Sequence, residues 1–64
     1  MTLKEFALNL TACQLQIVVM MNRHHITFED DEELWKAVEQ DNGLANTKVV
    51  YFTIENSQLN IRVF

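Results

Sequence analysis

Apolar residues recur along this chain with two different periods, and the change from one to the other marks out its elements. Leu3, Phe6, Ala7 and Leu10 fall at i, i+3, i+4 and i+7, one stripe of a helix. Thr2 and Glu5 form a T-x-x-E capping box ahead of that stripe, so a helix is expected over roughly residues 3–11. From Leu15 the period falls to two. Leu15, Ile17, Val19 and Met21 point one way, and Gln16, Val18, Met20 and Asn22 point the other. Asn22-Arg23-His24-His25 interrupts the alternation and Ile26-Thr27-Phe28-Glu29 resumes it. The pattern predicts a hairpin with a four-residue loop, Met21 opposite Ile26 and Val19 opposite Phe28.

Asp30 and Asp31 then offer N-caps, and Glu32 and Glu33 fall in a first helical turn, where the helix dipole favours negative charge. Leu34, Trp35 and Val38 supply the apolar stripe, and Asn42-Gly43 reads as a stop, which places a second helix at roughly residues 31–41. Beyond it Val50, Phe52 and Ile54 alternate with Val49, Tyr51 and Thr53. After Asn56-Ser57, Leu59, Ile61 and Val63 alternate with Asn60, Arg62 and Phe64. Pairing Ile54 with Leu59, Phe52 with Ile61 and Val50 with Val63 keeps the inward set on one face. The expected fold is α+β in the order α-β-β-α-β-β. One domain over residues 1–64 holds a four-stranded, mainly antiparallel sheet with two helices on one face. The opposite face would carry Val18, Met20, Val49, Tyr51 and Phe64, more apolar surface than solvation alone needs.

Composition narrows the setting. Of the 64 residues 48% are hydrophobic, proline is absent and Gly43 is the only glycine, which is the opposite of a disordered sequence. Cys13 is the only cysteine, so no internal disulfide forms, and a reducing cytoplasm is the expected location for so small a domain. The first ten residues lack the basic start of a signal peptide, and the longest apolar run, residues 17–21, is too short to span a membrane. Net charge is −4, from nine acidic and five basic residues. Direct nucleic-acid binding needs the Lys and Arg that are scarce here, so a protein partner with a basic surface fits better.

Three features bear on chemistry. The run Glu29-Asp30-Asp31-Glu32-Glu33 would suit a basic groove; capping and a solvated helix start account for most of it without a partner. His24 and His25 at the hairpin tip form a candidate zinc site, with Asp41, Glu39 or a second subunit as further ligands. The plainer reading is two solvated turn histidines. Cys13 would be an apt third ligand but lies about 25 Å away along an extended strand. That distance also disfavours a Cys-His catalytic pair, and Cys13 reads as a small buried hydrophobe. Trp35 belongs to the core stripe, whereas Tyr51 and Met20 on the outward face are candidate partner contacts. No glycine-rich phosphate loop, nucleophile elbow or paired catalytic acids are present, so a binding role is expected rather than an enzymatic one.

The opening Thr2-Leu3-Lys4-Glu5-Phe6, the short apolar hairpin, the acidic second helix and the closing hairpin together resemble the small accessory proteins of phages and prophages of Gram-positive bacteria. Several of those are anti-CRISPR inhibitors. The resemblance lies in size, acidity and layout, and carries over no catalytic residue. It implies an inhibitor that binds a type II RNA-guided nuclease and blocks its DNA loading or cleavage, with residues 29–33 and the outward sheet face as contacts. The alternative is a structural or assembly module that forms a homodimer through that face, with zinc as an optional staple.

Overall fold

A computed structural model of the chain describes residues 1–10 and 15–64. Cys13 therefore falls outside the described residues, and so does its expected burial.

The elements run α1 (Leu3–Asn9), β1 (Gln16–Met20), β2 (His25–Phe28), α2 (Asp31–Gln40), α3 (Asn42–Ala45), β3 (Val49–Glu55) and β4 (Gln58–Val63). Each start has a local cause. Thr2 Oγ1 accepts from the Glu5 amide at 3.2 Å and the Glu5 carboxylate accepts from the Thr2 amide at 3.0 Å, completing the capping box of α1. Asp30 caps α2 by accepting from the Glu33 amide at 2.9 Å. At the end of α2, Asn42-Gly43 begins an unexpected short helix instead of a plain stop. Asp41 turns its carboxylate to the Leu44 amide at 3.1 Å and caps α3. A helix end followed at once by Asp supplies its own new N-cap.

The sheet order is β2-β1-β4-β3. Both hairpins are antiparallel, as expected, but the central pair β1 and β4 is parallel, so the sheet is mixed. The α+β class holds, with a third helix and a parallel seam added. Val18 and Met20 give β1 apolar residues on both faces, which suits a strand hydrogen-bonded on both sides.

Register departs from expectation twice. In the first hairpin Val19 pairs with Ile26 and Ile17 with Phe28, two residues from the expected alignment. The Met21 amide donates to the His24 carbonyl at 2.9 Å, closing a four-residue loop over 21–24 in place of 22–25. A slip of two leaves every side chain on its original face, so the apolar pattern does not select between the alignments. In the second hairpin Ile54 meets Leu59 and Phe52 meets Ile61 as expected. Asn56 and Ser57 both take positive φ, 52° and 60°, the backbone of a two-residue primed turn. Near Val49 and Tyr51 the ladder bulges, and Val63 pairs with Val49 rather than with Val50. The extra residue exchanges the two valines, so Val49 packs against the core and Val50 is exposed.

The core lies between the helices and one sheet face. Leu3, Ile17, Val19, Leu34 and Ile61 are fully buried, with Val38, Ala45, Leu59 and Val63 nearly so. Full burial of such side chains contributes about 1.5–3 kcal/mol each. Trp35 is half-buried against this cluster, as its place on the α2 stripe predicts. No helix among the described residues is long and apolar enough to cross a membrane.

Glu5 is held below its ordinary value, first by the hydrogen bond from the Thr2 amide and then by that from the Thr2 hydroxyl. A depressed carboxyl stabilises the fold above its unfolded pKa, and that contribution is lost as pH falls through the folded value. Thr2→Val keeps the amide and removes the hydroxyl. NMR titration should show the Glu5 pKa rising toward, without reaching, its ordinary value.

Candidate functional site

The largest exposed apolar surface lies along β3. Val50, Tyr51, Phe52 and Ile54 each expose more than half of their area, and no β3 residue is buried. Sequence alternation assigns Phe52 and Ile54 to the core face, and they do point that way. Among the described residues the helical layer leaves them uncovered, however, because α2 packs over β2 at the other side of the sheet and α1 packs on α2 and α3. Phe6 of α1 reaches Phe52 edge-on, with ring centroids 5.1 Å apart and planes inclined by 61°. Between α1 and β3 this leaves an apolar groove of ≈ 620 Å³, lined by Phe6, Leu10, Leu15, Phe52, Ile54 and Leu59 among others.

The edge itself is partly occupied. The Val49 amide donates to the Met1 carbonyl at 2.8 Å, the Leu3 amide donates to the Thr47 carbonyl at 2.8 Å, and Thr2 bridges Lys48. The N-terminal segment thus covers the start of β3. Beyond Val49 the strand has no backbone partner on its outer side among the described residues. Neither Lys nor Pro interrupts residues 49–55, and Glu55 is the only charge there, so past the bulge at Val49/Tyr51 and the covered start the strand carries no charged or proline block before Glu55. The opposite edge, β2, is four residues long and begins with His25.

The apolar residues expected on the outward sheet face do not join into one contiguous patch. Register sets His25, Met20, Arg62 and Tyr51 in one row, and Thr27, Val18, Asn60 and Thr53 in the next. Met20 and Tyr51 line one shallow cleft with Asn60, Gln58 and Glu55, but the Arg62 position separates them. The bulge moves Val49 to the other face. Each apolar side chain of this face therefore has polar cross-strand neighbours, the arrangement of a solvated sheet surface.

The acidic run occupies the turn after β2 and the first turn of α2, on the side of the sheet away from β3. Two of its members have internal duties: Asp30 as N-cap, and Glu33, whose carboxylate accepts from the Glu29 amide at 2.7 Å. Asp31 and Glu32 border a cleft with Leu8, Leu10 and Trp35 between α1 and α2. His24 and His25 are exposed at the first hairpin, His25 facing outward beside Met20, while the Asp41 carboxylate is engaged as the α3 cap. Among the described residues no group of three or more His, Cys, Asp or Glu is placed to hold a metal ion. Comparison with protein-family models, with curated proteins and with solved structures finds no match to this chain.

The side chains that dominate this site, Phe52, Ile54 and Val50, read in sequence as core. The available signal was a seven-residue run of strand formers with a charge only at its end. Only strand order turns that run into an exposed edge.

The Phe6–Phe52 contact is an aromatic bridge from α1 to β3. A double-mutant cycle of Phe6→Ala and Phe52→Ala, read by urea unfolding, should give a coupling of about 0.5–1.5 kcal/mol.

Proposed function

We propose that this chain is a non-catalytic protein-binding module whose docking surface is the free edge of β3 together with the groove behind it. One observation carries the reading: an edge strand of seven residues exposes Val50, Tyr51, Phe52 and Ile54, and beyond Val49 its outer backbone has no partner among the described residues. Such an edge accepts an added strand. Backbone hydrogen bonds then supply affinity, and alternate side chains enter pockets on one face. The groove offers such a pocket beside Phe52 and Ile54. An edge left bare in this way is an aggregation hazard, and a partner removes that hazard.

The acidic segment favours a second, narrower reading, inhibition of a type II RNA-guided nuclease. Glu29, Glu32 and Glu33 are exposed at the α2 N-terminus, a charge complement for a basic nucleic-acid groove. The acidic segment follows β2, the edge strand opposite β3.

Tagged protein used as bait in a lysate containing such nucleases, with captured proteins identified by mass spectrometry, separates the readings. Phe52→Lys with Ile54→Lys should reduce capture of the partner at least tenfold while the circular dichroism of the fold persists. Asp31→Lys with Glu32→Lys should do so only if the acidic surface is the contact. Capture unaffected by the β3 pair removes β3 from the function. A nuclease retained by wild type and lost on acidic reversal supports the inhibitor.

A further inference from the structure

The occupant of the β3 edge follows from its own geometry, given the reading of β3 as a docking edge. We propose that β3 pairs antiparallel with β3 of a second copy of this chain, about a two-fold axis at Thr53, joining two four-stranded sheets into one continuous sheet.

The two-residue turn at Asn56-Ser57 makes Glu55 and Gln58 a hydrogen-bonded pair, and the antiparallel ladder alternates from there. The amide and carbonyl of Phe52 and Ile54 therefore point away from β4, toward the open edge. A two-fold axis perpendicular to the sheet sets residues of the same face opposite each other. With the axis at Thr53, Phe52 of one copy lies opposite Ile54 of the second, and the outward groups of both are satisfied in both directions. The paired stretch is then residues 51–55, wholly beyond the part of the edge that Met1 occupies. Moving the axis to Phe52 would bring Glu55 of the second copy against Val49, whose amide already donates to Met1.

Side chains and charge agree with this register. Phe52 is 53% and Ile54 63% exposed, and each meets the other across the axis. Phe52 and Ile54 are the apolar centre of the paired stretch and the strand backbone adds to it, a contact smaller than the ~800 Å² per partner of a standard interface, which suits a concentration-dependent dimer. Glu55 is the only charge in the paired stretch. Its two copies sit at opposite ends, roughly 13 Å apart and beyond a physiological Debye length. The acidic residues 29–33 stand at the far edge of each sheet, so the net charge of −4 does not crowd the axis. An edge with no charge from Val49 to Ile54 has nothing with which to select a charged foreign strand, and it is complementary to itself.

Two measurements test the assembly. Sedimentation of the wild type should show a concentration-dependent dimer, and Phe52→Lys should weaken it at least a hundredfold. In a Cys13→Ser background, Thr53→Cys should cross-link across the axis under mild oxidation, because opposed residues at a non-hydrogen-bonded site fall within disulfide reach. Glu55→Cys, far from its mate, should not. A wild type that stays monomeric to about 1 mM overturns the proposal, as does a dimer in which Glu55→Cys cross-links as readily as Thr53→Cys. A monomer that still captures a foreign partner through β3 overturns the second copy alone and leaves the docking edge standing. A monomer indifferent to β3 substitution in both assays removes the docking edge as well.

Discussion

The parallel pairing of β1 with β4 is the constraint on which the rest of this structure depends. It sets Ile17 beside Leu59 and Val19 beside Ile61 along the middle of the sheet, and all four are at most 3% exposed. Parallel neighbours cannot be joined by a tight turn and need a long crossover, and β1 and β4 each carry a hairpin partner on the side away from the seam. β2 and β3 are thereby driven to the two edges. The chain between them has to cross the sheet, and α2 and α3 form that crossing. The core, the helical layer and the identity of the exposed edges all follow from that one seam.

The two edges are unequal, and the inequality concentrates the interaction surface. β2 is short, begins with an exposed histidine, and leads at once into the acid-capped start of α2. β3 is longer and almost uncharged, and the helices cover it only where Phe6 of α1 meets Phe52. In a 64-residue chain two helices of seven and ten residues already bury most of what they can cover. The remaining apolar side chains line a groove against α1 instead of entering the core. A small domain with more apolar strand than helix to cover it has a surplus, and association is the ordinary physical outlet for that surplus.

Charge is distributed in the same divided way. Five of the nine acidic residues lie in 29–33, where capping and the helix dipole stabilise them, and β3 carries only Glu55. The acidic run thus follows one edge strand and the apolar run is the other, and Leu10 borders both the groove beside β3 and the cleft of Asp31 and Glu32. Only Glu55 places an acidic charge on β3 itself.

Features decided by neighbouring residues were legible in the sequence. The Thr2–Glu5 box, the Asp30 cap, both hairpins, the turn at Asn56-Ser57 and the two long helices each depend on side chains within a few positions of one another. Features decided by distant contacts were not. A two-residue slip in the first hairpin preserves the facing of every side chain, so the pattern is silent and the 21–24 loop decides. A single bulged residue exchanged Val49 and Val50, which no alternation rule foresees. The outward face looked apolar only while strand order was unknown; with β1 beside β4, Asn60 and Arg62 came to stand next to Val18 and Met20 and broke the patch. The sequence by itself determined which residues are apolar, where elements begin, and which faces they share, because propensity, capping and periodicity are local. Tertiary structure alone decided that Phe52 and Ile54 lie at an edge and not in the core, because exposure depends on which strands are neighbours and how far the helices reach.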